Sequence, residues 1–252
     1  MIIADTHVHV YPDYDVPRFF NDAVAALSSQ DPTSDADLVL MLTERYDCDF
    51  FKALKQGQVD GVSIAPCDDT DAVALEIGGR RLWVIAGRQI VSQEGVEVLS
   101  LSSDTRIADR QPLDQILAEV VQDGAVPVLS WAPGKWLGKR GALIAEKISG
   151  ASAGGLCLGD TSMRPPVWLE PGLMKRGRAK GLSILYGSDP LPFAADQGVV
   201  GQYAMRWDAE LDRERPVAAL RGLLQSGTGV PVGRRSGNIA VVRRFLANQK
   251  VR

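Results

Sequence analysis

Residues 2–10, Ile2-Ile3-Ala4-Asp5-Thr6-His7-Val8-His9-Val10, decide how this chain is read. A largely apolar, β-branched run of this length, ended by the loop at 11–17, predicts a strand buried on both faces. Strands of that kind sit in parallel sheets covered by helices. Residues two apart on a strand share a face, so His7 and His9 project together about 6.6 Å apart, a gap that one metal ion bridges. They are the only two histidines in 252 residues, which limits the chemistry as much as the pair suggests it.

Outward from this strand, the pattern alternates. A helix follows with Phe20, Val24 and Leu27 on one face, then a second buried strand at 37–43 and a short helix carrying Phe50, Phe51 and Leu54, with Asp49 as its expected cap. The alternation is interrupted at 72–101, where short β runs at 72–77, 81–86, 88–92 and 96–101 are joined at Gly78-Gly79 and near Gly95, as in hairpins. It resumes with a helix at 112–123, where Leu113, Ile116, Leu117, Val120 and Val121 follow helical spacing, and a strand at 126–131. A Gly/Lys-rich loop, a helix at 141–149, strands at 155–158 and 182–187, and helical or edge segments at 216–225 and 238–248 complete it. This order predicts a parallel sheet closed or nearly closed into a barrel, with functional residues at the C-terminal ends of the strands. His9, Glu44, Gln89, Trp131, Asp160 and Asp189 all fall at such ends.

Composition sets the bounds. A 27.2 kDa chain with 45% hydrophobic and 23% charged residues and a net charge of −3 has ample material for a core and reads as one domain over 1–252, without a linker. The charge balance argues for no nucleic-acid partner. Cys48, Cys67 and Cys157 are odd in number and far apart, suggesting neither a disulfide framework nor a zinc knuckle. No leader or membrane span is read, so no membrane partner and a cytoplasmic location are expected.

Asp5-Thr6-His7-Val8-His9 resembles the opening signature of the PHP (polymerase and histidinol phosphatase) family. The resemblance continues in order through Thr43-Glu44-Arg45, Ala86-Gly87-Arg88-Gln89, Gly95-Val96-Glu97-Val98-Leu99, Val128-Leu129-Ser130-Trp131-Ala132-Pro133 and Gly187-Ser188-Asp189-Pro190-Leu191. It implies a distorted (βα)7-type barrel, here with an inserted hairpin region around 72–101, and metal-dependent hydrolysis of phosphoesters. The chain departs from the family where metal-binding histidines are expected, offering Arg45, Glu97, Trp131 and Leu191, and it has the neutral Gln89 in place of a bridging carboxylate. Adjacent dications need many anionic or imidazole ligands, so a three-metal cluster is not expected.

What the resemblance leaves is one metal site made of His7, His9 and Asp189, with the Gln89 oxygen or water completing the shell, for a single divalent ion such as Zn, Mn or Fe. Three protein ligands and an open position is also how catalytic zinc is bound. A site without metal, the two histidines hydrogen-bonding within the barrel mouth, is the alternative. Asp5 is the candidate for orienting an imidazole from behind, or else caps backbone amides. Glu44 and Arg45 are the catalytic candidates, or else an ion pair with each other. Asp160 reads as an Asx-turn or a mouth residue, and Cys67 as a loop residue. Lys135, Lys139 and Arg140, in a glycine-rich loop before a helix, form a candidate anion-binding site for a small anionic substrate, or a solvated basic loop.

Three functions fit these residues. The first is a hydrolase of the phosphoesterase class with a reduced, at most single-metal site. The second is a non-catalytic PHP-like binding or regulatory scaffold without stoichiometric metal. The third is an amidohydrolase-like hydrolase, which usually needs further histidines that the chain lacks. The sequence leaves substrate and oligomeric state open.

Overall fold

The computed structural model describes residues 1–251 except 32 and 34, and all side chains among them but those of 250 and 251. β1 (Ile2–Val8) leads to α1 (Val16–Ser28), and β2 (Asp37–Leu42) to the short α2 (Phe50–Lys55). Every residue of β1 and β2 is buried, as their apolar runs require. α1 starts where Asp15 accepts a hydrogen bond from the Arg18 amide and Pro17 suits the first turn; it buries Phe19, Phe20, Ala23 and Leu27. The interrupted section contains β3 (Ile64–Ala65), β4 (Ala72–Ile77), β5 (Arg80–Ile85), β6 (Gly87–Val91) and β7 (Glu97–Leu101). α3 (Leu113–Gln122), β8 (Val126–Ser130), α4 (Gly138–Gly150), β9 (Cys157–Thr161), α5 (Gly172–Ala179) and β10 (Ile184–Gly187) follow. A 3-10 segment (Ala194–Val199), β11 (Tyr203–Trp207), α6 (Pro216–Ser226), β12 (Val230–Gly233) and α7 (Asn238–Val251) come last.

The strands do not close into a (βα)7 barrel. They form a seven-stranded sheet ordered β12-β11-β1-β2-β5-β4-β3 and a five-stranded sheet ordered β10-β9-β8-β7-β6. The reason is that each strand edge has one set of backbone donors and acceptors to give. Antiparallel β11 takes the outer edge of β1 over Ile2–Ala4, and β5 takes that of β2 over Leu38–Met41. Only the C-terminal ends of β1 and β2 remain to touch the second sheet. There the Asp189 amide donates to the His7 carbonyl (2.9 Å), and the Glu44 amide to the Gly87 carbonyl (2.9 Å). The two hairpins expected in 72–101 are present, but β4–β5 joins the larger sheet and β6–β7 the smaller. The chain changes sheet at Ala86-Gly87, where a Cβ on Gly87 would lie 2.2 Å from the Leu42 carbonyl oxygen.

Side-chain alternation divides the interior in two. Leu38, Leu40 and Leu42 of β2 pack with Phe19, Phe20 and Leu27 of α1, whereas Val39 and Met41 face a larger core shared with the second sheet and with α3 to α6. β1 begins in step, with Ile2 and Ala4 in the larger core and Ile3 in the smaller. Its pairing with β2 then shifts register between Asp5 and Val8, and Val8 joins the smaller core. A bulge of this kind re-aims side chains by one position. It leaves His7 and His9 on the side of the second sheet, at the end of the strand where the two sheets meet.

Candidate metal centre

His7 and His9 are 3% and 5% exposed, and their Nε2 atoms lie 3.1 Å apart. Asp189 Oδ1 lies 3.5 Å from Nε2 of His7 and 3.8 Å from Nε2 of His9. Among the described residues these three form the one group able to offer converging ligand atoms, all within 4.8 Å of one another. Burial lowers the pKa of His7 to about 4 and that of His9 to about 3, so both rings are neutral at pH 7, the form in which imidazole binds a metal ion. Burial also raises the pKa of Asp189.

The group lines a cleft of about 770 Å³ at the junction of the sheets. Four carboxylates, Asp47, Glu97, Asp109 and Asp189, and two cations, Arg45 and Lys135, face it, a net negative charge that one divalent ion balances. Gln89 lines the cleft with both histidines. The donor set therefore fits a single divalent ion, with two imidazole nitrogens, a carboxylate oxygen and an amide oxygen.

Asp189 reaches the histidines because β10 runs against β1. A Cβ on Gly187 would lie 2.5 Å from both the Cβ and the amide nitrogen of His7, so only glycine allows this approach. Asp5 is wholly buried and accepts from the backbone amides of His7 (3.2 Å), Ser188 (2.9 Å) and Gly201 (2.8 Å) and from the Ser188 hydroxyl. It touches no imidazole; it ties the Ser188-Asp189 loop to β1. Burial raises its pKa to about 6 against these hydrogen bonds.

Other expected residues divide. Arg45 lines the cleft and pairs with Asp47 at 3.4 Å, not with Glu44. Glu44 is absent from the cleft wall: it accepts from the Phe51 amide (2.5 Å), capping α2 where Asp49 makes no side-chain cap, and pairs with Arg88 at 2.9 Å. Lys135 reaches into the cleft and pairs with Glu97, whereas Lys139 is exposed away from it and Arg140 donates to the carbonyls of Gly95 and Gly134. The three basic residues thus do not converge. Asp160 is neither turn nor mouth: inside β9 it binds Arg164 through both oxygens. Trp131 is buried against Trp168.

Sequence reasoning missed one wall of the cleft, built by Phe245 and Asn248 of α7, and missed Arg244, buried beneath it. No local signal marks Arg244, since an arginine beside Arg243 on a terminal helix reads as solvated. Glu97 was legible only as a replaced ligand position.

The fold is shared with known structures. PsfC from Pseudomonas syringae PB-5123 matches all of this chain and 99% of its own, at 15% identity and a TM-score of 0.60. The lesion-specific endonuclease Q of Pyrococcus furiosus matches 91% of this chain at 11% identity and a TM-score of 0.50. Endonuclease Q in complex with a 27-mer duplex bearing an abasic lesion at the active site matches the same share at 12% identity and a TM-score of 0.51. The matched region spans 57% of the endonuclease chains. These likenesses support a PHP-like fold. No family model matches the sequence, and no curated protein matches it. The expectation of no nucleic-acid partner is overturned: endonuclease Q, a protein of similar fold, is in complex with a DNA duplex. Among the described residues no helix is long and apolar enough to cross a membrane.

Proposed function

We propose that this chain is a divergent PHP-type hydrolase of the phosphoesterase class, working with one divalent ion held by His7, His9 and Asp189 and assisted by Gln89. The observation that carries this reading is the convergence of two neutral imidazole nitrogens 3.1 Å apart on one carboxylate oxygen, inside a cleft of net negative charge. When bound, a divalent ion supplies Lewis-acid polarisation of a phosphoryl oxygen and lowers the pKa of water. The chain does the rest. Arg45 and Lys135 offer charged donors to the non-bridging oxygens, and Glu97 holds the Lys135 ammonium in the cleft. Buried Asp5 keeps the Asp189 loop against β1. The endonuclease neighbours are consistent with phosphodiester substrates, including those of DNA.

One observation favours the non-catalytic scaffold. The two Nε2 atoms are close enough to hydrogen-bond with each other, one as donor and one as acceptor, which satisfies the pair without an ion. Metal analysis of chelator-free protein separates the readings, alongside assays on nitrophenyl phosphate mono- and diesters and on single- and double-stranded DNA. The hydrolase reading expects about one ion per chain, and His7→Ala abolishing both binding and turnover; fewer than about 0.2 ions per chain after metal-supplemented growth sinks it.

A further inference from the structure

We infer that Arg244, on α7, is a positioning residue for the Asp189 carboxylate, so that the C-terminal helix sets the geometry of the candidate centre from outside the strand scaffold; its bearing on metal affinity rests on the reading above.

Asp189 adopts φ +53, a left-handed conformation that non-glycine residues rarely take. Such a conformation persists only where the surroundings over-determine it. Its amide is held by the His7 carbonyl at 2.9 Å. Its carbonyl accepts from Arg244 Nη2 at 2.7 Å. Arg244 is 5% exposed, and each of its five N–H donors finds a partner. Nε and Nη2 bind Asp196 Oδ2 at 3.0 and 2.8 Å, and Nη1 binds the hydroxyls of Ser162 (2.8 Å) and Ser236 (2.9 Å). Asp196 in turn accepts from the Leu191 amide at 2.8 Å, two residues past Asp189. The loop that carries the carboxylate is therefore closed into a ring: Asp189 carbonyl, Arg244, Asp196, Leu191 amide. One turn along the helix, Asn248 stands in the wall of the cleft. The helix is both wall and brace.

A guanidinium that only fastened α7 to the body would affect stability and leave the centre unchanged. Two variants separate these roles. Arg244→Lys keeps a cation opposite Asp196 but offers fewer donors in a different geometry. Arg244→Met with Asp196→Asn leaves no unpaired buried charge and keeps an acceptor for the Leu191 amide, so the fold is maintained without the brace. Because His7 and His9 are the only histidines, the imidazole resonances of the chain report on the centre alone. In metal-free protein both variants are expected to shift these ring resonances relative to wild type. In zinc titrations they are expected to weaken the Kd at least about tenfold, the range seen when residues supporting metal ligands are lost. Leu224→Ala, on the buried face of α6, is the control: a lower Tm with unchanged resonances and Kd. Folded Arg244 variants with wild-type ring resonances overturn the inference. Wild-type protein that takes up no zinc overturns the metal reading instead, while the ring resonances still decide the role of Arg244.

Discussion

Replacing Gly187 with alanine tests the link between sheet packing and the centre. The new Cβ would meet His7 Cβ and N at 2.5 Å and Cα at 2.9 Å. Apolar atoms rest at about 3.5–4.0 Å, so β10 must retreat from β1 by roughly 1 Å. The neighbours are backbone and the base of a side chain, which cannot rotate away. Overpacking of this kind costs about 1–3 kcal/mol, and a domain of this size loses roughly 2–4 °C of Tm per kcal/mol, so a fall of about 4–8 °C is expected for a mid-range cost of about 2 kcal/mol. The larger consequence is at the centre. Asp189 follows Gly187 by two residues and hydrogen-bonds to the His7 carbonyl, so the same movement draws its carboxylate from the imidazoles. Metal–ligand distances in a sound site lie within about 0.2 Å of their usual values, so ion affinity should drop by more than about tenfold. Thermal denaturation followed by circular dichroism and zinc titration read the two effects. Gly150→Ala, with nothing within 4 Å of the new Cβ, should be neutral or stabilising and serves as the control. A Gly187→Ala protein with unchanged Tm and zinc affinity would refute the argument that this glycine sets the approach of Asp189.

Three further outcomes are expected. Asp5 has a folded pKa raised to about 6 from 3.8, so the folded state binds a proton that the unfolded chain has lost, and this group's contribution to stability falls as pH rises from 3.8 to 6. In denaturant unfolding across pH 4–6, wild type should therefore lose about 2 kcal/mol relative to Asp5→Asn, and parallel curves for the two proteins would contradict this. Arg88 is buried between Glu44 and Asp104, so Arg88→Met strands a buried carboxylate and should cost about 3–5 kcal/mol, recovered in large part by adding Glu44→Gln; thermal melts of the single and double variants check it, and equal Tm values for the two would argue against the pair. Lys135→Ala releases Glu97 beside His7, and metal analysis at saturating zinc should then rise above one ion per chain; an unchanged count would show that Glu97 is not kept from ions by its lysine.

The opening strand was the most legible part of the chain, because its burial and the shared side of His7 and His9 follow from local period alone. The bulge between Asp5 and Val8 was not, although it decides which side that is. The hairpins at Gly78-Gly79 and Gly95 were readable because both glycines of the first turn take positive φ, the signature of a tight hairpin, as does Gly95. Which sheet each hairpin joins depends on competition for the edges of β1 and β2, a long-range property without a local signal. For that reason alternation alone predicted a closed barrel where two sheets form. Strand β11, which takes the edge of β1, and β12, which pairs with β11, went unrecognised. At the centre, His7, His9, Gln89 and Asp189 do come together, but Glu44 was assigned by its position after a strand, and the partner that turns it away, Arg88, lies far along the chain in a strand whose side-chain direction no pattern reveals.

On the proposed hydrolase reading, the charge of the cleft limits the centre to one ion. Of the four carboxylates facing it, Glu97 is paired with Lys135, Asp47 with Arg45, and Asp109 accepts from the Val91 amide at 2.8 Å. Each thus already has a partner within the protein, weakest for the exposed Asp47, and only Asp189 faces the two neutral imidazoles. A second dication would have to displace a cation or a backbone amide from one of the others while resisting repulsion from the first. On the same reading, the Glu97 pairing holds the Lys135 ammonium beside the site, where further ions would otherwise supply positive charge to a phosphoryl group. On this reading the replaced ligand positions are connected changes: Glu97 loses the ability to hold an ion of its own and, in pairing with Lys135, fixes a cation in the cleft.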